Sequence, residues 1–351
     1  MIEHAQQLSS TSTAKSGLFK QRPGQYIRQE FLDWVRDTGR PDTWQHHTRT
    51  KPPADRDFEE LERFAIPAKH RTSVGRASCP ICSPDAPKYF SGALAWFPAE
   101  GVLRAIGHEC ADSHFGTERA NAARAAGRHH AAVEAAQNFL LDTLPQVAAL
   151  REEVQALSVL AKLADDVRHL VWLGSGKAAC AKLAKMGESG VLSVEVVRAI
   201  DAVDAFGKNV VRYETEVVGR YAVAGMSFIS RRYSVTALAT QTSDALALVR
   251  AIDQEAALDF IVDELKTGDY LFQADKLARN ALEYMDKLRL ATAEAKTFLT
   301  TDNLANLAEY TRKGRWSGPV HFDFNPSYPA RFRVKNAAKK WRDIGIPPGL
   351  R

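Results

Sequence analysis

"GHECADSHFG", residues 107–116, carries a His, a Glu, a Cys and a second His within a few positions, and "CPIC", residues 79–82, lies upstream of it. The reading of these two stretches decides the fold of the front of the chain. Cys79 and Cys82 form a C-x2-C pair, a spacing that aims two thiolates at one centre from a tight turn. Pro80 restricts that turn. Between the two stretches, "SGALAWF" (91–97) and "GVLRAIG" (101–107) read as strands joined by the turn "PAEG" (98–101). Gly107 then precedes Cys110, and His114 lies four residues further, at the start of a predicted helix. The first turn of a helix presents an inward side chain in a fixed direction. Cys110 from the turn and His114 from the helix can therefore complete a tetrahedron with the CPIC pair. The bland alternative is a strand meeting a helix, with small buried thiols and a capping His.

The order knuckle, hairpin, second knuckle, helix resembles a treble-clef zinc finger over about residues 75–120. The resemblance implies a bound zinc with Cys79, Cys82, Cys110 and His114 as ligands. It departs from the all-Cys form in its last ligand and in the C-x3-H spacing. His108 competes for the fourth place, but two residues before Cys110 it has a cramped bite. Three of the four cysteines of the chain fall in this block. A closed Cys3His shell leaves no open position for water, so the metal would be structural and would supply folding energy. Catalytic zinc fits poorly. The deaminase signature needs H-x-E before P-C-x-x-C, whereas His108 and Glu109 are adjacent and CPIC comes first. H-E-x-x-H needs a second His where Asp112 stands.

The chain has 351 residues, enough for two or three domains. No apolar run reaches the ~18 residues of a membrane span, and "MIEHAQQLSSTSTAKSG" lacks the apolar region of a secretory signal. A mobile tail over 1–20 and a reducing, cytoplasmic location are expected, in which clustered cysteines favour metal over disulfides. The net charge of +5 is uneven: ten Lys/Arg and two Asp from Arg312 to Arg351 give a local +8, which leaves −3 for the rest.

Hydrophobic spacing predicts helices over 24–39, over "DRDFEELERFAI" (55–66, capped by Asp55), over 117–173 with a break at Pro145, and over 177–186, 193–206, 243–266, 270–298 and 302–313. Residues 209–240, β-branched and partly alternating, lean towards strands. The fold class expected is mainly α with a small zinc-bound β-hairpin/helix module and a short C-terminal β-hairpin, α+β overall. The expected segments are the tail 1–20, N-terminal helices and loop 21–74, the zinc module 75–120, a helical domain 121–315 and a basic hairpin and helix 316–351.

Other motifs read as ordinary structure. "VWLGSGKAAC" (171–180) has Val171 and Ala178 where a phosphate loop needs Gly and Ser/Thr. Cys180 reads as a core thiol. The His46–His47 and His129–His130 pairs read as solvated, and no Ser or Cys nucleophile pairs with a base.

The C-terminal "VHFDFNPSYPARFRVK" reads as a hairpin with one apolar face. Arg331, Arg333 and Lys335 alternate on the other, ~6.6 Å apart, close to the phosphate repeat of a nucleic-acid strand. Lys339, Lys340 and Arg342 follow on an expected short helix with Trp341, and Trp316 or Trp341 is available for base stacking. Three functions are consistent with these features. The first is a zinc-stabilised protein that binds the backbone of DNA or RNA, of bacterial or phage origin by its Ala- and Arg-rich composition. The second is a zinc-braced interaction or assembly component, whose apolar stripe over 147–170 packs a protein partner or a second copy. The third is an enzyme whose site does not show in the sequence.

Overall fold

The structure, a computed structural model, describes residues 19–71, 76–203, 205–255, 269–313, 320–335 and 340–351. Trp316, Lys339 and nearly all of the expected N-terminal tail lie outside the described residues. The chain divides into two compact units, Met1–Ala136 and Gln137–Arg351, and the fold is α+β with small antiparallel sheets.

In the first unit, α1 (Gln25–Thr38) ends as expected on Gly39, whose left-handed φ of 67° lets its amide bond back to the Val35 carbonyl. Then come β1 (Glu59–Ala65), the single turn α2 (Ala68–Arg71), β2 (Ala77–Cys79), β3 (Ser83–Tyr89), β4 (Ser91–Phe97), β5 (Val102–Gly107), α3 (His108–Phe115) and α4 (Thr117–Thr143). β1, β4 and β5 form an antiparallel sheet in the order β1-β4-β5, and β2 and β3 pair separately. Every residue of β5 is buried. Phe31 and Val35 of α1 pack with Leu61, Phe64, Leu94 and Leu103 in one cluster; Ala111 and Phe115 of α3 pack with Phe97, Val102 and Ile106 in another. Coverage of both faces explains why these antiparallel strands read as near-continuous apolar runs. Arg104 sits inside this sheet, 1% exposed. Its guanidinium is paired with Glu100 at 2.7 Å, donates to the Thr50 carbonyl at 2.8 Å and lies 4.4 Å from the Phe97 ring centre.

The helix expected over 55–66 is instead β1. A bulge between Glu60 and Glu62 lets Leu61 and Phe64, three residues apart, enter the same core cluster. A strand with a bulge thus imitates helical spacing. Gly127 of α4 marks a close approach: a Cβ there would lie 1.8 Å from the Glu60 carbonyl oxygen.

In the second unit, the turn Leu144–Gln146 carries Pro145 and separates α4 from α5 (Val147–Ser175), as the proline predicts. α6 (Lys177–Met186), β6 (Val191–Val203), β7 (Asn209–Ala222), α7 (Ser227–Ser230), α8 (Val235–Glu255), α9 (Asp269–Phe298), α10 (Thr301–Lys313), β8 (His321–Phe324), β9 (Arg331–Lys335) and β10 (Arg342–Gly345) follow. Helices α5, α8 and α9 pack together. The apolar stripe of α5 is spent in this unit: Val147, Leu150, Val154, Val167 and Val171 are buried. A second cluster joins Val171, Leu183, Leu192, Phe228, Phe298, Leu307, Phe322 and Phe332.

Three further expectations change. The helix over 193–206 is strand β6, which pairs with β7 from Val191↔Ala222 to Val203↔Asn209. Its Val and Ile favour a pleated ribbon once a partner strand is present. The strand reading of 209–240 holds for Asn209–Ala222, but Val235 already begins α8. That start is set by a residue distant in sequence, since the Asp165 carboxylate accepts from the Val235 and Thr236 amides at 3.1 and 2.8 Å. The C-terminal hairpin forms, but Arg342–Gly345 adds a third strand where a helix was expected, in the order β10-β9-β8. Ile344 stands opposite Phe332 and both are buried, so β10 completes an apolar face. No helix among the described residues is long and apolar enough to cross a membrane.

Candidate metal centre

Three elements converge on the cysteines. β2 ends at Cys79, which pairs with Ser83 at the start of β3, so CPIC forms the turn between them. Cys79 is buried and Cys82 faces solvent. β5 ends at Gly107, and α3 begins directly at His108. This puts Cys110 in the first turn of α3, where amides without helical partners favour negative charge. The three Sγ atoms lie within 4.8 Å of one another, the one grouping of this kind among the described residues. The Sγ atoms of Cys82 and Cys110 are 3.0 Å apart.

Electrostatics around the sulfurs are those of thiols crowded together. Burial, followed by the sulfurs of Cys82 and Cys79, pushes the Cys110 thiol well above its ordinary range. A cation at the centre would reverse this by stabilising thiolates. Three convergent sulfurs suit a soft or borderline ion such as zinc and leave one tetrahedral position to fill.

Neither histidine belongs to the sulfur group. His114 lies one turn beyond Cys110, and its Nε2 is 2.9 Å from the Pro52 carbonyl oxygen. His108, at the first position of α3 and partly buried, makes no hydrogen bond or ion pair with any described residue.

The C-terminal candidates are dispersed over the sheet. Arg331, Arg333 and Lys335 leave the outer face of β9, as the alternation predicts. Arg333 donates to Asp323 on β8 at 2.8 Å, and Asp343 on β10 stands opposite it. Lys335 Nζ lies 4.8 Å from the Trp341 ring centre, and Arg333 stands over the same ring. Lys340 is exposed. Arg342 stands opposite the buried Val334, so it leaves the sheet on the face opposite to Arg333. Cys180 lies in the core as expected, its thiol pushed up to about 11 by burial.

Sequence reasoning missed two features. His47 is not solvated: its Nδ1 accepts the Ala105 amide at 3.1 Å, and burial lowers its pKa to about 4, so it stays neutral. No local signal marks this, because the partner is a strand far along the chain. The second is the β6–β7 arm. Beyond Leu192 and Val194, which are buried at its base, no described residue from Glu195 to Val217 is buried. The Val-rich alternation of 209–222 was its only trace.

No family model matches the chain, and no curated protein or solved structure matches it significantly.

Proposed function

We propose that this chain is a metal-braced assembly component that engages a protein partner through the β6–β7 arm. One observation carries the reading: the arm extends past the core with residues exposed on both of its faces. Val197 is 62% exposed, Val203 63% and Tyr213 73%, all on the face that also bears Val211 and Val217. Glu195 and Asp201 lie among them, and the opposite face carries Arg198, Arg212, Glu214 and Glu216 together with Val196 and Ile200. A two-stranded ribbon is marginally stable in water on its own, and an apolar row of this length marks an interaction surface. The test replaces residues 195–217 by an Asn-Gly turn. In a native extract of its own cells, the full chain should run within a larger species and the shortened chain should run free. Equal migration of the two, with the shortened chain folded, overturns the reading.

In this reading the first unit is braced by a structural Zn2+ held by Cys79, Cys82 and Cys110, with a histidine as fourth ligand. His114 is the choice favoured by the treble-clef order. His108 is the choice favoured by its lack of any other polar partner. Elemental analysis should find about one zinc per chain, lost in Cys110→Ser; metal-free wild type would overturn the brace. Replacing each histidine by Ala then identifies the fourth ligand by the loss of tight retention against a chelator.

A nucleic-acid function has one supporting observation, the alternating cations of β9. The pairing of Arg333 with Asp323 and the departure of Arg342 to the other face weaken it. If the face does bind phosphates, affinity falls steeply with salt, and Arg331→Ala with Lys335→Ala lowers the slope. Binding that ignores salt excludes it.

A further inference from the structure

We infer that the arm pairs with a second copy of this chain, β7 against β7, in one register centred on Tyr213. The inference rests on the assembly reading and names the first partner of the same arm.

A sheet extended across a two-fold axis joins identical edges in antiparallel fashion. The axis stands perpendicular to the sheet, so each side chain stays on its own face. A residue can then meet only residues an even number of positions away. This rule separates the two edges. On β6, Arg198 is three residues from Glu195 and three from Asp201, so no permitted register sets it against an acid. It is already used within the ribbon, 3.0 Å from Glu216.

On β7, Arg212 and Glu214 are two residues apart. Pairing about Tyr213 sets Arg212 of each copy opposite Glu214 of the other, twice over, with Val211 opposite Thr215. Pairing about Glu214, which would match Arg212 with Glu216, sets two Glu214 carboxylates against each other. Opposite charges directly across strands stabilise and like charges destabilise, so one register is selected. Within the ribbon Arg198 stands opposite Glu214 but turns to Glu216, and Arg212 and Glu214 make no hydrogen bond or ion pair with any described residue. The segment Asn209–Val217 has no proline or glycine to block its ladder. The product is a four-stranded antiparallel sheet, beyond the size at which a ribbon is marginal. Its apolar face, with Val197, Val211 and Tyr213 from both copies, stays available to a further partner.

Sedimentation of the purified full chain, with hydrogen exchange on the same samples, tests this. A monomer–dimer equilibrium is expected, with amides of 209–217 protected as dimer forms. Arg212→Glu and Glu214→Arg each weaken self-association roughly tenfold or more, since two attractive pairs become repulsive. Mixing these two variants restores a dimer, because each supplies the charge that the other needs, and the double variant Arg212→Glu/Glu214→Arg also dimerises. A wild type that stays monomeric, a dimer with freely exchanging arm amides, or single variants that dimerise as wild type overturn the inference. A monomeric wild type whose arm is still required for the larger species in native extract overturns the self-pairing and leaves the assembly reading standing. A shortened chain that migrates as the full chain does ends both.

Discussion

The β4–β5 hairpin and the β6–β7 arm are both antiparallel pairs joined in sequence, yet they live by different means. Residues of β4 and β5 are covered on both faces by their own unit. The arm is covered only at its base, by the core cluster that holds Leu192 and Val194. A cross-strand ladder contributes little until apolar area leaves water, at ~25 cal/mol per Å² buried. The hairpin obtains that from its own chain. The arm leaves it for another chain to supply. Strand propensity is similar in both, so coverage alone separates a structural strand from a docking one.

The largest expected break in this contrast comes at the sulfurs. Stripping the proposed zinc with a strong chelator, or Cys110→Ser, removes a brace worth several kcal/mol in small metal modules. The first unit then melts at lower temperature while the second unit holds. Unchanged melting after complete chelation rules out a structural role for the metal. Next comes Arg104→Met, which keeps the aliphatic stem but removes the guanidinium from Glu100, the Thr50 carbonyl and the Phe97 ring. Glu100 is partly exposed and can take up water, so a cost of about 1–3 kcal/mol is expected, set by the unsatisfied Thr50 carbonyl. Denaturant unfolding followed by a probe in the first unit measures it, and a change below 1 kcal/mol would mean that the buried guanidinium is dispensable.

The sequence made these regions legible to different degrees. The CPIC turn and the strands over 91–97 and 101–107 were readable because each depends on neighbours in sequence, whereas the helix expected to start at His114 begins at His108 and takes Cys110 into its first turn. Gly39 and Pro145 acted locally and stopped helices where expected. β1 and β6 were misread as helices because their partners lie elsewhere in the chain. In β1 a bulge brought Leu61 and Phe64 into one cluster at helical spacing. In β6 the identity of the element came from the hairpin with β7. The convergence of Cys79, Cys82 and Cys110 was legible from spacing. Contacts of His114 with Pro52 and of Arg333 with Asp323 were not, because alternation says which face a side chain leaves and nothing of what waits there.

An effect of similar size concerns Asp165, which fixes the start of α8 from α5. Burial raises its pKa, but hydrogen bonds from Ser234, Thr236 and Val235 outweigh that and hold it below the usual 3.8. A carboxylate depressed in the folded state adds stability that is present above its unfolded pKa and lost as pH falls through the folded one. Asp165→Ala should cost at least as much as a lost cap, about 1–2 kcal/mol, at pH 7, because it also removes the partner of the buried Arg168. Its difference from wild type should begin to shrink below about pH 4, where the unfolded carboxylate takes up its proton, and be smallest below the folded pKa, where neither protein carries the anion. A difference that persists unchanged at pH 2 would assign the loss to packing.

The smallest expected effect sharpens the contrast most. Val→Thr keeps the shape and adds a hydroxyl, so its cost reads how dry the site is. At Val194, 4% exposed at the arm's base, the hydroxyl is buried and about 1–3 kcal/mol is lost. At Val197, three residues out and 62% exposed, stability of the isolated chain should move by less than about 0.5 kcal/mol. In a complex that covers the apolar face, Val197→Thr should instead weaken binding, by more than it weakens folding. Equal costs at both positions in the lone chain would mean that the arm folds back onto its own unit in solution. A cost at Val197 that emerges only on assembly is the signature of a strand pair built to be finished by another molecule.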